Sequence, residues 1–242
     1  MKHSFLEEKE AVKTADLSTE LMNELNIKTA FTIPVGKGIA VSESVAVTWV
    51  IIAVLLLLSV FLTRNLKVEG PFSKRQLLLE SGVGFLQNFF EGILGEDGRR
   101  YIPYLMSVVI YIGLANIIGI FGLTPPTKDM NVTLALAIIS LFLIEYAGLR
   151  KRGAIGFLKS FAEPAPFILP INILEIFIRP VSLCMRLFGN VLGSFVVMEL
   201  LKIVCPIIVP VPFSFYFDLF DGFIQAYVFV FLTALFIKES LE

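Results

Sequence analysis

Five long apolar stretches, set apart by short clusters of charge, glycine or proline, dominate the hydrophobic pattern of this 242-residue chain. From Val45 to about Thr63 the chain is apolar almost without interruption, close to the ~20 residues that carry a helix across hydrocarbon. Arg64, Lys67, Lys74 and Arg75 follow. Over residues 72–98, Glu80, Gln87, Asn88 and Glu91 interrupt apolar positions at roughly helical spacing, which predicts an amphipathic segment lying along the membrane surface.

Pro103 opens a second span that runs to Leu123, where Pro125 and Pro126 close it. Thr127 to Asn131 reads as a polar turn. A third span, residues 132–149, stops at Arg150, Lys151 and Arg152, with Lys159 further on, and Pro164 and Pro166 come before the fourth stretch. That stretch, Phe167 to Val209, is too long for one perpendicular crossing: as a helix it would reach roughly 60 Å, about twice the hydrocarbon thickness. Pro180 is its one internal break, so a long, strongly tilted and kinked helix is expected. Pro206, Pro210 and Pro212 end it, and a last long span, also expected to be strongly tilted, covers residues 213–237. The expected fold class is all-α: one polytopic membrane domain over residues 45–242 with about five membrane-embedded helices, preceded by an extracytoplasmic segment, residues 1–44.

Composition agrees: 56% of residues are hydrophobic and 12% aromatic, and mean hydropathy is +0.82, as for several spans and unlike a soluble domain. A net charge of −1 gives no reason to expect nucleic acid as a partner. Cys184 and Cys205 lack CxxC spacing and the lone histidine is His3, so no metal or redox cofactor is expected. Phosphate-loop and HExxH patterns are absent, which leaves no basis for nucleotide or zinc chemistry on this chain. The mixed-charge first forty residues carry no apolar run behind a basic start, so no cleavable signal peptide is expected. Basic residues cluster after spans one and three, before span two and at Lys238, which puts the N-terminus outside and the C-terminus in the cytoplasm.

Ionisable residues at membrane depth are costly and point to function by default. The fourth stretch carries Glu175, Arg179, Arg186, Glu199 and Lys202. On a helix, Glu175, Arg179, Ser182, Arg186, Gly189, Asn190 and Gly193 share a stripe roughly 100° wide. Glu175 and Arg179 form an i,i+4 structural pair; Glu199 and Lys202 are placed to pair or snorkel at the outer end. Arg186 has no acid at its i±3 or i±4 positions, so its countercharge comes from elsewhere. A small-residue face with a permanently charged guanidinium suits close approach to a partner carrying a carboxylate. In the last span, Asp218, Asp221, Gly222 and Gln225 share a face; either aspartate is also placed to be a structural partner for Arg186.

The run Arg179-Pro-Val-Ser-Leu-Cys-Met-Arg186-Leu-Phe-Gly-Asn190 resembles the signature of F-type ATP synthase subunit a. So do Pro126-Thr-Lys-Asp129-Met-Asn131-Val-Thr133, Arg152-Gly-Ala-Ile-Gly156-Phe, Pro170-Ile-Asn172 and Gln225-Ala-Tyr-Val-Phe, extending the likeness from about Gly95 to the C-terminus. The resemblance implies a bacterial plasma-membrane stator subunit, held with peripheral-stalk b subunits and the rest of the synthase beside a rotating c-subunit ring. Two offset half-channels would lead H+, or alternatively Na+, to and from a carboxylate on each c subunit, with no ATP chemistry on this chain. By resemblance, Arg186 attracts the ring carboxylate and blocks leakage, Asn190 and Gln225 line the site beside it, and Ser182, Gly189 and Gly193 face the ring. Asp218 would serve ion entry. Some relatives carry an acid nine residues after the arginine, where this chain has Phe195; Glu199 and Asp221 are the candidate substitutes. Asp129, Asn131 and Glu145 are weaker candidates for an access path, with turn capping the simpler role for Asp129.

Two other classes compete. A stand-alone secondary transporter usually shows related halves, and no internal repeat is visible here. An intramembrane enzyme would use Asp218 and Asp221 as paired carboxylates, although two acids on one face also suit a hydrated path.

Overall fold

The computed structural model describes residues 29–33, 39–64, 66, 73–121, 123–160, 167, 169–204 and 210–242. Lys67, Pro164, Pro166, Cys205, Pro206 and the whole of residues 1–28, His3 included, lie outside the described residues, as do the side chain of Glu199 and the expectation about a signal peptide. A small antiparallel hairpin that the hydropathy pattern did not predict, β1 (Thr29–Ile33) with β2 (Ile39–Ser42), precedes the first span. Its β-branched and aromatic residues suit a strand pair, and Phe31 leans on Trp49 with ring centroids 6.4 Å apart.

Helix α1 (Glu43–Thr63) starts where the Ser42 hydroxyl accepts from the Val45 amide at 3.4 Å, a side-chain cap for an otherwise unpaired N–H. Helix α2 (Lys74–Leu94) is the amphipathic segment; it ends at Gly95, whose φ of 68° suits a residue without a Cβ. Helix α3 (Ile102–Ile117) has Pro103 in its first turn, where no amide hydrogen is needed. A tighter 3-10 turn over Ile118–Phe121 extends it. A further 3-10 turn, Pro126–Lys128, leads into α4 (Met130–Ser160). Helix α5 (Leu169–Val204) runs through Pro180. The last long helix, α6 (Pro210–Leu241), is wound as a π-helix over Phe215–Asp221 and as an α-helix on either side.

The third span ends where the basic cluster predicts. Directly after Arg150, Lys151 and Arg152 the backbone leaves helical geometry at Gly153, which has a φ of 72°, so α4 is two helical stretches joined across a kink, and the spanning part is Met130–Gly153.

Helix α6 is the centre of the bundle. Gln225, Ala226, Phe229, Val230, Thr233, Ala234 and Ile237 recur at three- and four-residue spacing and are buried, mainly against α3 and α4. Leu105 and Ile112 of α3, Ile144 of α4 and Leu183 and Leu187 of α5 complete the core. Lipid tails are as apolar as these side chains, so close packing and small residues, rather than water exclusion, hold such helices together. An added Cβ on Gly222 would stand 2.8 Å from Cβ of Asn116; the bare glycine is what lets α6 close on α3. Among the described residues, five helices are long and apolar enough to cross a membrane, and large apolar side chains such as Leu57, Phe61, Phe142 and Phe177 face outward. The chain is a polytopic all-α membrane protein.

Candidate functional site

Pro180 and the alternation of large and small residues divide α5 into two faces. Leu183, Cys184 and Leu187 turn inward and are buried, while Ser182, Arg186, Gly189, Asn190 and Gly193 lie on the exposed side. A Cβ added to Gly189 or Gly193 would meet nothing within 4 Å, so this face is open for another surface to approach closely. Among the described residues Arg186 has no ion-pair or hydrogen-bond partner. Neither Asp218 nor Asp221 pairs with it.

Arg179, two turns earlier on the same helix, is neutralised. Its guanidinium reaches Glu239 of α6 at 2.7 Å and Glu175 at 3.2 Å. It also lies 5.0 Å from the Phe236 ring centroid, within cation–π range. The local pair expected from the i,i+4 spacing is present, but the shorter bond comes from a residue near the end of the last helix.

The aspartates of α6 open onto a cleft of about 410 Å³ between α3, the turn before α4, α5 and α6. The Ser214 hydroxyl donates to Asp218 Oδ2 at 2.6 Å, and Gln225 Nε2 donates to Asp221 Oδ1 at 3.3 Å. Bonds four residues apart on either side of the π-wound segment thus orient both carboxylates. A Cβ on Gly119, in the 3-10 turn that extends α3, would be 2.9 Å from Asp218 Oδ1, so that glycine makes room for the carboxylate. Across the cleft, Lys128 Nζ sits 3.3 Å from the centroid of the Phe195 ring. At the position where the resemblance implies an acid, an ammonium group therefore rests on an aromatic face.

The cleft is not lined by Asp129, Asn131 or Glu145. Asp129 is buried and its Oδ1 accepts the Asn131 amide at 2.9 Å, while its carbonyl accepts from Val132 and Thr133; it caps α4. Asn131 lines a separate groove between α1, α3 and α4. Glu199 belongs to α5, its side chain outside the described residues.

Sequence reasoning missed an uncharged relay beside the cleft. The Thr127 hydroxyl donates to Asn116 Oδ1 at 2.7 Å, and Asn116 Nδ2 donates to the Gly222 carbonyl at 3.1 Å. Both side chains are buried. An amide in the middle of span two was the available signal, since a buried amide in hydrocarbon needs partners as a charge does.

Residues 45–238 match the family model described as ATP synthase A chain. Similar proteins include an ATP synthase subunit a of Moorella thermoacetica, 38% identical over 205 residues, covering 84% of this chain and 93% of that one. An ATP synthase subunit a 2 of a Bradyrhizobium species is 37% identical over 206 residues, covering 84% and 90%. A third, the sodium ion specific ATP synthase subunit a of Propionigenium modestum, is 31% identical over 220 residues, covering 84% and 75%.

Proposed function

The chain belongs to the ATP synthase A chain family, and on that premise we propose that it is the membrane stator that couples proton flow to rotation of a c-subunit ring. It is a multi-pass bacterial membrane protein and a member of an ATP synthase complex. The observation that carries the finer reading is Arg186: a cation on an exposed, small-residue helix face with no countercharge among the described residues of its own chain.

A guanidinium stays protonated at any physiological pH. A ring carboxylate brought beside it loses proton affinity, because a nearby positive charge favours the ionised form, and so the proton is released. The same fixed charge opposes a cation crossing straight from one access path to the other. Ser182, Gly189 and Gly193 let the ring helix come close, and Asn190 hydrates or orients the group in transit. The cleft with Asp218, Asp221 and Gln225 is the outer half-channel. Protons reach the ring through these carboxylates and leave through a second half-channel where this chain meets the ring on the cytoplasmic side. Peripheral-stalk b subunits hold the chain against torque, with its N-terminus outside and its C-terminus in the cytoplasm.

Sodium is the second reading, favoured by the sodium ion specific relative. ATP-driven uptake of radioactive sodium, with a pH dye in parallel, into vesicles carrying the whole complex names the ion. Arg186→Ala is expected to stop uptake while the complex still assembles. Pumping at the wild-type rate by that variant would show the arginine to be structural. Ion movement by the isolated chain without the ring would favour a stand-alone transporter.

A further inference from the structure

We propose that Asn116 and Thr127 are positioning residues that hold the π-wound segment of α6 in register and so aim Asp218 and Asp221 into the cleft. The inference rests on the reading of that cleft as an ion path, but its geometry stands apart from it.

A π-helix is rarer than an α-helix and survives mostly as single turns that something else holds in place. Here it occupies Phe215–Asp221. Beyond it, the buried face from Ala226 to Ile237 locks the rest of α6 into the bundle. If the segment relaxed to α-helical winding, the residues before Gly222 would slip by one position, a rotation of about 100°. Ser214, Phe217 and Asp218 would then leave the cleft wall that they now line.

Two contacts from α3 oppose that slip. Asn116 Nδ2 holds the Gly222 carbonyl, the first residue after the π-wound turn, at 3.1 Å. One turn further on, in the 3-10 turn that extends α3, the Cβ-less Gly119 receives the Asp218 carboxylate. Thr127 steadies the first contact. Its hydroxyl, fully buried, donates to Asn116 Oδ1 at 2.7 Å, while the Gly222 carbonyl, which can only accept, takes the NH2 group. Without the hydroxyl, the amide oxygen is left buried with no donor, a cost the side chain relieves by turning toward the cleft that it also lines and away from Gly222.

The test uses the whole complex in vesicles, with Cys184 and Cys205 replaced by alanine and Phe217→Cys as a reporter for a water-soluble maleimide. Thr127→Val, which keeps the shape and removes the hydroxyl, is expected to lower reporter labelling at least fivefold and ATP-driven pumping about tenfold. Thr127→Ser, which restores the donor, is expected to return both to the level of the Thr127 parent. If Thr127→Val does not assemble, Asn116→Leu, of similar size and with no polar hydrogen, removes the donor to Gly222 and is expected to give the same paired loss. Unchanged labelling in Thr127→Val, or serine failing to restore it, would overturn the proposal. Asp218→Asn separates the two ideas: if it pumps like wild type while labelling still follows Thr127, the ion path falls and the register hold stands. If it stops pumping while labelling ignores Thr127, the reverse is true.

Discussion

Arg179 and Arg186 stand two turns apart on one helix and share a face, yet their surroundings are opposite. Arg179, with 18% of its side chain exposed, is held by Glu175 and Glu239 and covered by Phe236. Arg186 is exposed and meets no acid among the described residues. A charge that its own fold neutralises is part of the architecture. On the function proposed above, a charge left open at membrane depth finds its counterpart on another molecule, since hydrocarbon offers none.

The contrast can be broken most sharply at Arg186. Replacement by alanine is expected to lower ATP-driven pumping about 100-fold or more, the scale of losing one fixed electrostatic group from a reacting site, with the chain still present in the purified complex. Asp218→Asn comes next, with a loss of about tenfold in the same assay expected on the proposed function, because an amide oxygen can still accept from Ser214 while the ionisable carboxyl is gone. Arg179→Ala should act through stability instead. Losing a charge-assisted bond between α5 and α6 is expected to cost ~2 kcal/mol, read as a lower melting temperature in detergent, with pumping per assembled complex within about twofold of wild type. Glu175→Gln is the smallest, below ~0.5 kcal/mol in that melting assay, since its carboxylate is half exposed and such pairs contribute little.

How much of this was legible in advance differs by kind of interaction. The crossing helices were readable because hydropathy over ~20 residues is a strong signal. The isolation of Arg186 was readable because helical spacing names every neighbour it has on its own helix. Glu239 was not, since it meets Arg179 across 60 residues of chain, and no local spacing encodes that encounter. The π-wound turn was equally hidden: it depends on how α3 packs on α6, and its aspartates would show the same periodicity on an ordinary helix. The end of the third span was readable too, since the cluster Arg150 to Arg152 sits directly against the break at Gly153. Asn116 and Thr127 carry no charge and so escaped a search built on ionisable groups.

Helix α1 stands apart from all this. Only 11% of its span is covered by the rest of the chain, against 44% for α6, and its side chains from Trp49 to Phe61 mostly face outward. During synthesis it is made before every described helix that it touches. A segment so apolar partitions into the bilayer without help from neighbours that do not yet exist. Helix α6, with Asp218, Asp221 and Gln225 near its start, has no such independence; its polar groups favour entry alongside α3 and α4, which are already in place. The order of genesis along the chain therefore runs from the span that needs only lipid to the span that needs the assembled bundle.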